Sequence, residues 1–174
     1  MKTILAIIAI LFSFANVQFA LAVNFEKPLR TELKRFIPTG EYSLSEIKTP
    51  EKFKIDGNFY RIESKVDTKV KFIYTGRVIT SRGNSKNETS DYFDYFIIYN
   101  SKQEVEKIRI FNFRSSHGEA ITSSGWLKQF SGHSPKNTLR VGKNIDAISG
   151  ATISVNNLTF DVQSKTAILA EILR

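Results

Sequence analysis

Apolar segments separated by polar connectors run through the middle of the chain, and this pattern predicts β-structure. Four segments, 58–63, 70–79, 92–99 and 105–113, are rich in aromatic and β-branched side chains. Their connectors are polar and short, apart from a longer one at 81–90. Because short connectors join antiparallel neighbours, we predict four consecutive antiparallel strands. In the last strand apolar and polar positions interleave, which predicts one buried and one wetter face.

Helical spacing marks both ends of this region. Residues 25–37 place Leu29, Leu33, Phe36 and Ile37 on one face, before Pro38-Thr-Gly40. Residues 125–131 predict a short helix. Residues 152–173 contain no proline or glycine and space their apolar residues by about one helical turn, at Leu158, Val162, Leu169 and Ile172. The predicted fold class is α+β, an antiparallel sheet of about four to six strands packed with a long C-terminal helix and short accessory helices.

The first 22 residues are typical of a secretory signal peptide. Lys2 precedes an apolar run from Ile4 to Phe12, and the segment ends in Ala20-Leu-Ala22, a small-residue cleavage pattern. A transmembrane anchor is the alternative, but the run is shorter than the roughly 20 residues that a bilayer requires. We therefore expect a cleaved signal peptide at 1–22, an N-terminal helix and linker at 23–56, a single domain at 57–174, and a periplasmic or secreted location.

The amino-acid composition excludes several kinds of cofactor site and partner. The chain of 174 residues has no cysteine, which excludes disulfides, thiolate-bound zinc, iron–sulfur clusters, CxxCH haem attachment and a lipid-modified cysteine anchor. The formal net charge is +8, but the cations are scattered from Lys27 to Arg174 rather than gathered on a stripe with aromatic residues. We expect no nucleic-acid partner. Attraction to an anionic membrane surface or to an acidic redox partner stays open.

The segment 142–154, where the last helix begins, has the features of a phosphate-binding site. A helix N-terminus has unpaired amide groups and a partial positive charge, so it binds phosphate well. Gly150 and Ala151 leave room for an anion, and hydroxyl groups come from Ser149, Thr152 and Ser154. The alternative is structural, with Ser149 as a helix cap and Gly150 as a tight turn.

Asp146, Ser149, Gly150, Ala151 and Thr152 form the pattern DxxSGAT. This pattern resembles the flavinylation motif of FMN-binding domains, a family that includes the C subunit of the sodium-pumping NADH:quinone reductase and the G subunit of Rnf-type complexes. The resemblance implies that a flavin transferase takes FMN from FAD and esterifies its phosphate to Thr152. The cofactor would then be covalently bound FMN.

A second segment agrees with this resemblance. His117-Gly118-Glu119 is similar to the HGET stretch that closes over the flavin in these domains, although Ala120 replaces its threonine and Ile121-Thr122 replace the Pro-Gly that follows. Residues 126–132 resemble the short helix of small secreted members. The flavin ring needs an apolar bed, for which the candidates are Trp126, Phe130 and the loop 117–121.

The resemblance implies an electron carrier that receives electrons from a membrane or extracytoplasmic redox partner. The chain shows no nucleophile and base pair, so we favour a carrier over an independent enzyme. His117, His133 and Glu119 suggest a metal site only weakly, because zinc takes three or four protein ligands, and we expect two satisfied loop histidines. The alternatives are an interaction module of the same fold without flavin, and a flavin-dependent reductase of a small acceptor.

Overall fold

The computed structural model describes residues 25–81 and 91–174. The predicted signal peptide and most of the connector at 81–90 lie outside the described residues. A helix, α1, covers residues 25–33 of the described part. The strands are β1 (Ser43–Ile47), β2 (Gly57–Glu63), β3 (Val70–Ile79), β4 (Tyr92–Asn100) and β5 (Val105–Phe113). Two short 3₁₀ turns, Glu119–Thr122 and Lys128–Phe130, flank α2 (Ser124–Leu127), and α3 is Thr152–Ile172.

The five strands form one antiparallel sheet in the order of the sequence, β1-β2-β3-β4-β5. This confirms the predicted α+β fold class and the pairing of consecutive strands. β4 lies inside the sheet, and its residues from Tyr95 to Tyr99 are all buried. Burial of both alternating sets of side chains requires that both faces of the sheet be covered.

The first face of the sheet packs against α3 and the short helices. Tyr74, Tyr95 and Ile97 belong to this core together with Leu158 and Val162 of α3. The predicted apolar face of α3 is therefore confirmed, with Leu158, Val162 and Leu169 fully buried and Ile172 half-buried. Within the described residues, no helix has the length and apolar character needed to cross a membrane.

The second face of the sheet is covered by α1 and the turn that follows it. Leu29, Leu33 and Ile37 are fully buried there, and they share a core with Ile73 and Phe96. The expectation of one buried and one wetter face on β5 is confirmed, because Val105, Ile108 and Ile110 are buried whereas Lys107, Arg109 and Phe111 are half-buried. Arg109 donates to the buried Glu32 of α1 at 3.0 Å, and its side chain remains 38% exposed.

β1 was not predicted from the sequence. It pairs with β2 from Ser43 opposite Glu63 to Ile47 opposite Phe59. The segment 23–56, predicted to be a helix and linker, thus provides both an edge strand and the helix of the second core. The sheet extends beyond the domain boundary proposed at residue 57.

Three buried tyrosines of the first core predict steep alkaline unfolding. Burial raises the pKa values of Tyr74, Tyr95 and Tyr99 above the usual value of 10. Because the unfolded chain then releases protons that the folded chain keeps, the stability is complete below a pH of about 10 and is lost as the pH rises. We expect the free energy of unfolding to fall by about 4 kcal/mol per pH unit above pH 10, about 1.4 for each tyrosine. Denaturant titration between pH 9 and 12 measures the slope.

The control for this prediction is Tyr99→Phe, whose hydroxyl makes only a 3.4 Å contact with Thr166 Oγ1. This variant should show a slope smaller than that of the wild type by about 1.4 kcal/mol per pH unit, since one titrating group is removed. An unchanged slope would mean that Tyr99 does not contribute to the alkaline transition.

Candidate functional site

The candidate site lies at the N-terminus of α3. Ala151 occupies the cap position and is almost fully buried, whereas Thr152, the first helical residue, is exposed. No side chain in the described part of the protein caps the helix, and the cap residue is Ala151, so the interpretation of Ser149 as a cap is wrong. The first amide groups of an α-helix have no acceptor within the helix. Their partial positive charge is therefore free to attract an anion beside the Thr152 hydroxyl.

A tight turn brings the chain into α3. Gly150 has a φ of 77°, in the left-handed region that favours glycine. The amide of Ala151 donates to the carbonyl of Ile148 at 3.1 Å, which closes the turn. Ser149 and Gly150 are exposed. The turn thus presents the two residues and Thr152 at the protein surface.

The backbone of Asp146 is held from both sides by the short helical region. The indole nitrogen of Trp126 donates to the Asp146 carbonyl at 2.9 Å, and the amide of Asp146 donates to Gln129 Oε1 at 2.8 Å. Asp146 itself is exposed. These bonds fix the start of the DxxSGAT segment and leave the carboxylate free to face solvent or a ligand.

Two of the side chains expected to form the flavin ring bed are buried. Phe130 is completely buried, and Trp126 is 7% exposed and packs edge-on against it at 5.3 Å between ring centroids. Phe130 therefore offers no surface to a flavin. Trp126 reaches the segment through its indole N–H rather than through an open ring face. Gln129 was missed from the sequence, because a single glutamine in a short helix carries no signal of a contact 17 residues away.

The loop 116–119 packs directly against the start of α3. Gly118 has a φ of 84°, and a Cβ atom placed there would lie 3.0 Å from the Ala151 Cβ and 3.3 Å from Ser154 Oγ. His117 and Glu119 on either side are exposed. The structure thus brings the segment 117–119 and the DxxSGAT segment together, at a distance that leaves little room for a residue larger than glycine.

A network at the ends of the strands anchors this loop. The amide of Ser116 donates to Asp91 Oδ1 at 3.1 Å, and its hydroxyl lies 3.2 Å from Asp91 Oδ2 and 2.8 Å from His117 Nδ1. Asp91 immediately precedes β4, so the sheet positions His117 beside the site. No pattern in the sequence indicates this role for Asp91.

One family model matches the chain, that of the FMN-binding domain, over residues 65–164. The match covers more than half of the 174 residues and includes both the loop 116–119 and the start of α3. The chain belongs to the FMN-binding domain family. None of the curated proteins matches it.

The residues of this FMN-binding domain fit a flavin phosphate. The uncapped amide groups at the start of α3 suit its negative charge, and the exposed Gly150 keeps bulk away from them. Ser154 is buried against Gly118, so its side chain faces the loop 116–119 and is not exposed at the protein surface. Asp146, Ser149, Thr152, His117 and Glu119 are the exposed polar groups around the helix start.

The two histidines have different surroundings. His117 is exposed and contacts Ser116, whereas His133 is 3% exposed and neither of its ring nitrogens has a hydrogen-bond partner among the described residues. The expectation of a satisfied loop histidine is therefore wrong for His133. Burial lowers its pKa, which favours the neutral ring. Across the described ranges, no three His, Cys, Asp or Glu side chains form a group that could hold a metal ion.

The contact at Gly118 predicts the effect of a substitution. Gly118→Ala places a methyl group 3.0 Å from Ala151 at a φ that disfavours it. We expect the free energy of unfolding to fall by about 2–4 kcal/mol, of which about 1–2 is backbone strain and the rest is overpacking. Denaturant titration measures the loss.

The matched control is Gly132→Ala. Gly132 has nearly the same φ, 81°, but a Cβ atom there would meet nothing within 4 Å. This variant should show the backbone strain alone. Equal losses for the two variants would contradict a tight contact between the loop and α3.

Proposed function

We propose that the protein is an exported electron carrier that holds FMN through a phosphoester on Thr152. The observation that carries the proposal is the exposed Thr152 hydroxyl beside uncapped helix amides, inside a domain of the FMN-binding family. The resemblance of the segment around it to the flavinylation motif supports covalent attachment over reversible binding.

The attachment is a phosphoryl transfer for which a flavin transferase supplies the catalytic groups. The Thr152 oxygen bonds to the phosphorus on the FMN side of FAD, the phosphoanhydride bond breaks, and AMP leaves. The transferase accepts the hydroxyl proton. The chain contributes an accessible hydroxyl and, at the start of α3, a positive potential that stabilises the remaining negative charge of the diester.

FMN supplies reversible electron transfer when it is bound. Because Thr152 and the residues around it lie at the surface, the attached group stays accessible to other proteins. Trp126, Gln129 and Gly118 hold the surrounding backbone in place, so the residues near the flavin need little rearrangement when electrons move. The proposed partners are a membrane or extracytoplasmic redox protein.

Export is proposed from the N-terminal segment. The signal-like residues 1–22 would direct the chain out of the cytoplasm, and cleavage after Ala22 would leave Val23 at the mature N-terminus. A covalent bond suits such a location, because a lost cofactor could not be replaced from the cytosolic pool.

Intact mass spectrometry tests both parts of the proposal. The full chain is produced in an exporting host, with and without a flavin transferase, and the mature protein is purified from the envelope and medium. We expect a mass that begins at Val23 and carries one added FMN group only when the transferase is present. An unmodified mass in both preparations contradicts covalent attachment, and retention of residues 1–22 contradicts cleavage.

A further inference from the structure

The stretch of chain between the two segments of the candidate site carries charges of one sign only. Between Glu119 and Asp146 the chain has four cations and no carboxylate side chain, and residues 147–160 carry no charge at all. The cations are Lys128, Lys136, Arg140 and Lys143. Although the basic residues are scattered along the chain as a whole, this stretch is unbalanced, and it leads directly into the DxxSGAT segment.

Three of these cations stand on backbone that is tied to the site. Lys128 is next to Gln129, whose side chain binds the Asp146 amide. Arg140 and Lys143 belong to a closed loop, in which the Arg140 carbonyl accepts the amides of Lys143 and Asn144 at 3.1 Å each. Lys136 differs, because it lines a pocket of about 470 Å³ with Arg174, beyond the C-terminal end of α3.

The closed loop is also bound to α3. The amide of Leu139 donates to Gln163 Oε1 at 2.8 Å, and the amide of Arg140 donates to Asn144 Oδ1 at 2.7 Å. The loop therefore has a fixed position relative to the helix that begins at Thr152. The backbone from which Arg140 and Lys143 project is thereby held in place.

These three side chains are exposed and free for a partner. We name Lys128, Arg140 and Lys143 the basic patch. No ion pair among the described residues involves any of them. By contrast, Arg77, Arg109 and Lys165 each pair with a carboxylate of the protein. Cations that stabilise nothing within the fold are suited to attract an anionic surface.

We propose that the basic patch is the docking surface for an acidic electron-transfer protein. This inference rests on the proposed function, since it places the partner beside FMN on Thr152. Redox complexes have small interfaces whose formation depends on complementary charge. A membrane surface fits less well, because lipid recognition usually takes clusters of about 4–8 cations. The patch has three, on backbone that is hydrogen-bonded to the DxxSGAT segment at Asp146 and to α3 at Gln163.

The test measures electron transfer from a reduced plant-type ferredoxin, an acidic one-electron donor, to the flavinylated protein by stopped flow. For the wild type, we expect the second-order rate constant to fall about tenfold as ionic strength rises from about 0.01 to 0.15 M. The variant K128E/R140E/K143E should react at least about tenfold more slowly at low salt and speed up with added salt.

The matched control is K27E/K34E/K48E, which makes the same change in net charge at exposed positions before β2. It should slow the reaction less than about twofold at low salt, as expected for charges far from the docking surface. Equal slowing by both variants would contradict docking at the basic patch and would indicate only a general effect of net charge. Added FMN is confirmed by intact mass in each variant, so failure of the proposed function appears before any kinetics.

Two other occupants of the basic patch, the flavin transferase and a membrane, would give different experimental results. If charge reversal of the patch lowers FMN attachment but leaves the ferredoxin rate of the flavinylated fraction unchanged, the patch docks the flavin transferase and the proposal fails. If it abolishes co-sedimentation with vesicles of phosphatidylglycerol and phosphatidylcholine, with the ferredoxin rate again unchanged, the patch binds a membrane and the proposal also fails.

Discussion

Thr152→Ala is expected to remove all covalently bound FMN while leaving the fold intact. The substitution deletes the hydroxyl oxygen that would form the ester. The neighbouring hydroxyls belong to Ser149, in the turn before α3, and to the buried Ser154. Thr152 caps nothing and is exposed, so the free energy of unfolding should change by no more than about 0.5 kcal/mol. Intact mass after coexpression with the transferase, together with visible absorbance after denaturation, measures the attachment.

Two companion variants sharpen this experiment. Thr152→Ser keeps a hydroxyl at the same place and should retain attached FMN. Thr138→Ala makes the same deletion at an exposed threonine 14 residues before the site, and it should load as the wild type does. Persistence of the added mass in Thr152→Ala would assign the ester to another residue, and Ser149 would be the next to substitute.

The sheet and the last helix could be predicted because their signals are local. The bounds predicted for β3 and β5, 70–79 and 105–113, are those of the structure, since both strands are dense in aromatic and β-branched residues. α3 begins at Thr152, as its helical spacing predicts. β1 was missed because its five residues are only exposed or half-buried and carry no apolar alternation. Its pairing with β2 creates the strand.

The two segments of the candidate site were predicted from the sequence, but the contacts that hold them together were not. The DxxSGAT segment and the loop 117–119 were recognised separately, and the structure packs Gly118 against Ala151. The contacts that align them join side chains to distant backbone, as from Trp126 to Asp146. Such bonds depend on how the short helices fold over the sheet, and single polar residues do not reveal them. Phe130 was proposed as part of the flavin ring bed for the same reason, because its burial depends on packing that the sequence does not show.

A buried ion pair under α3 predicts a large loss of stability. Asp161 accepts a hydrogen bond from the fully buried Tyr95 hydroxyl and another from Lys165 Nζ at 2.6 Å. The side chains of Lys165 and Asp161 are only 9% and 15% exposed. Asp161→Ala would leave a buried ammonium group and a buried phenol without their partner. We expect the free energy of unfolding to fall by about 3–5 kcal/mol, measured by denaturant titration at pH 7.

Lys52→Ala is the control, because Lys52 and Glu171 pair at the same 2.6 Å with side chains 64% and 49% exposed. Water screens that pair, so its loss should cost no more than about 1 kcal/mol. The double variant Asp161→Leu/Lys165→Met should recover much of the stability, since it removes both charges. A small effect of Asp161→Ala would mean that Lys165 finds solvent or another acceptor. Because Asp161 joins α3 to β4, the same pair fixes the helix on the sheet and thereby helps to set where Thr152 stands.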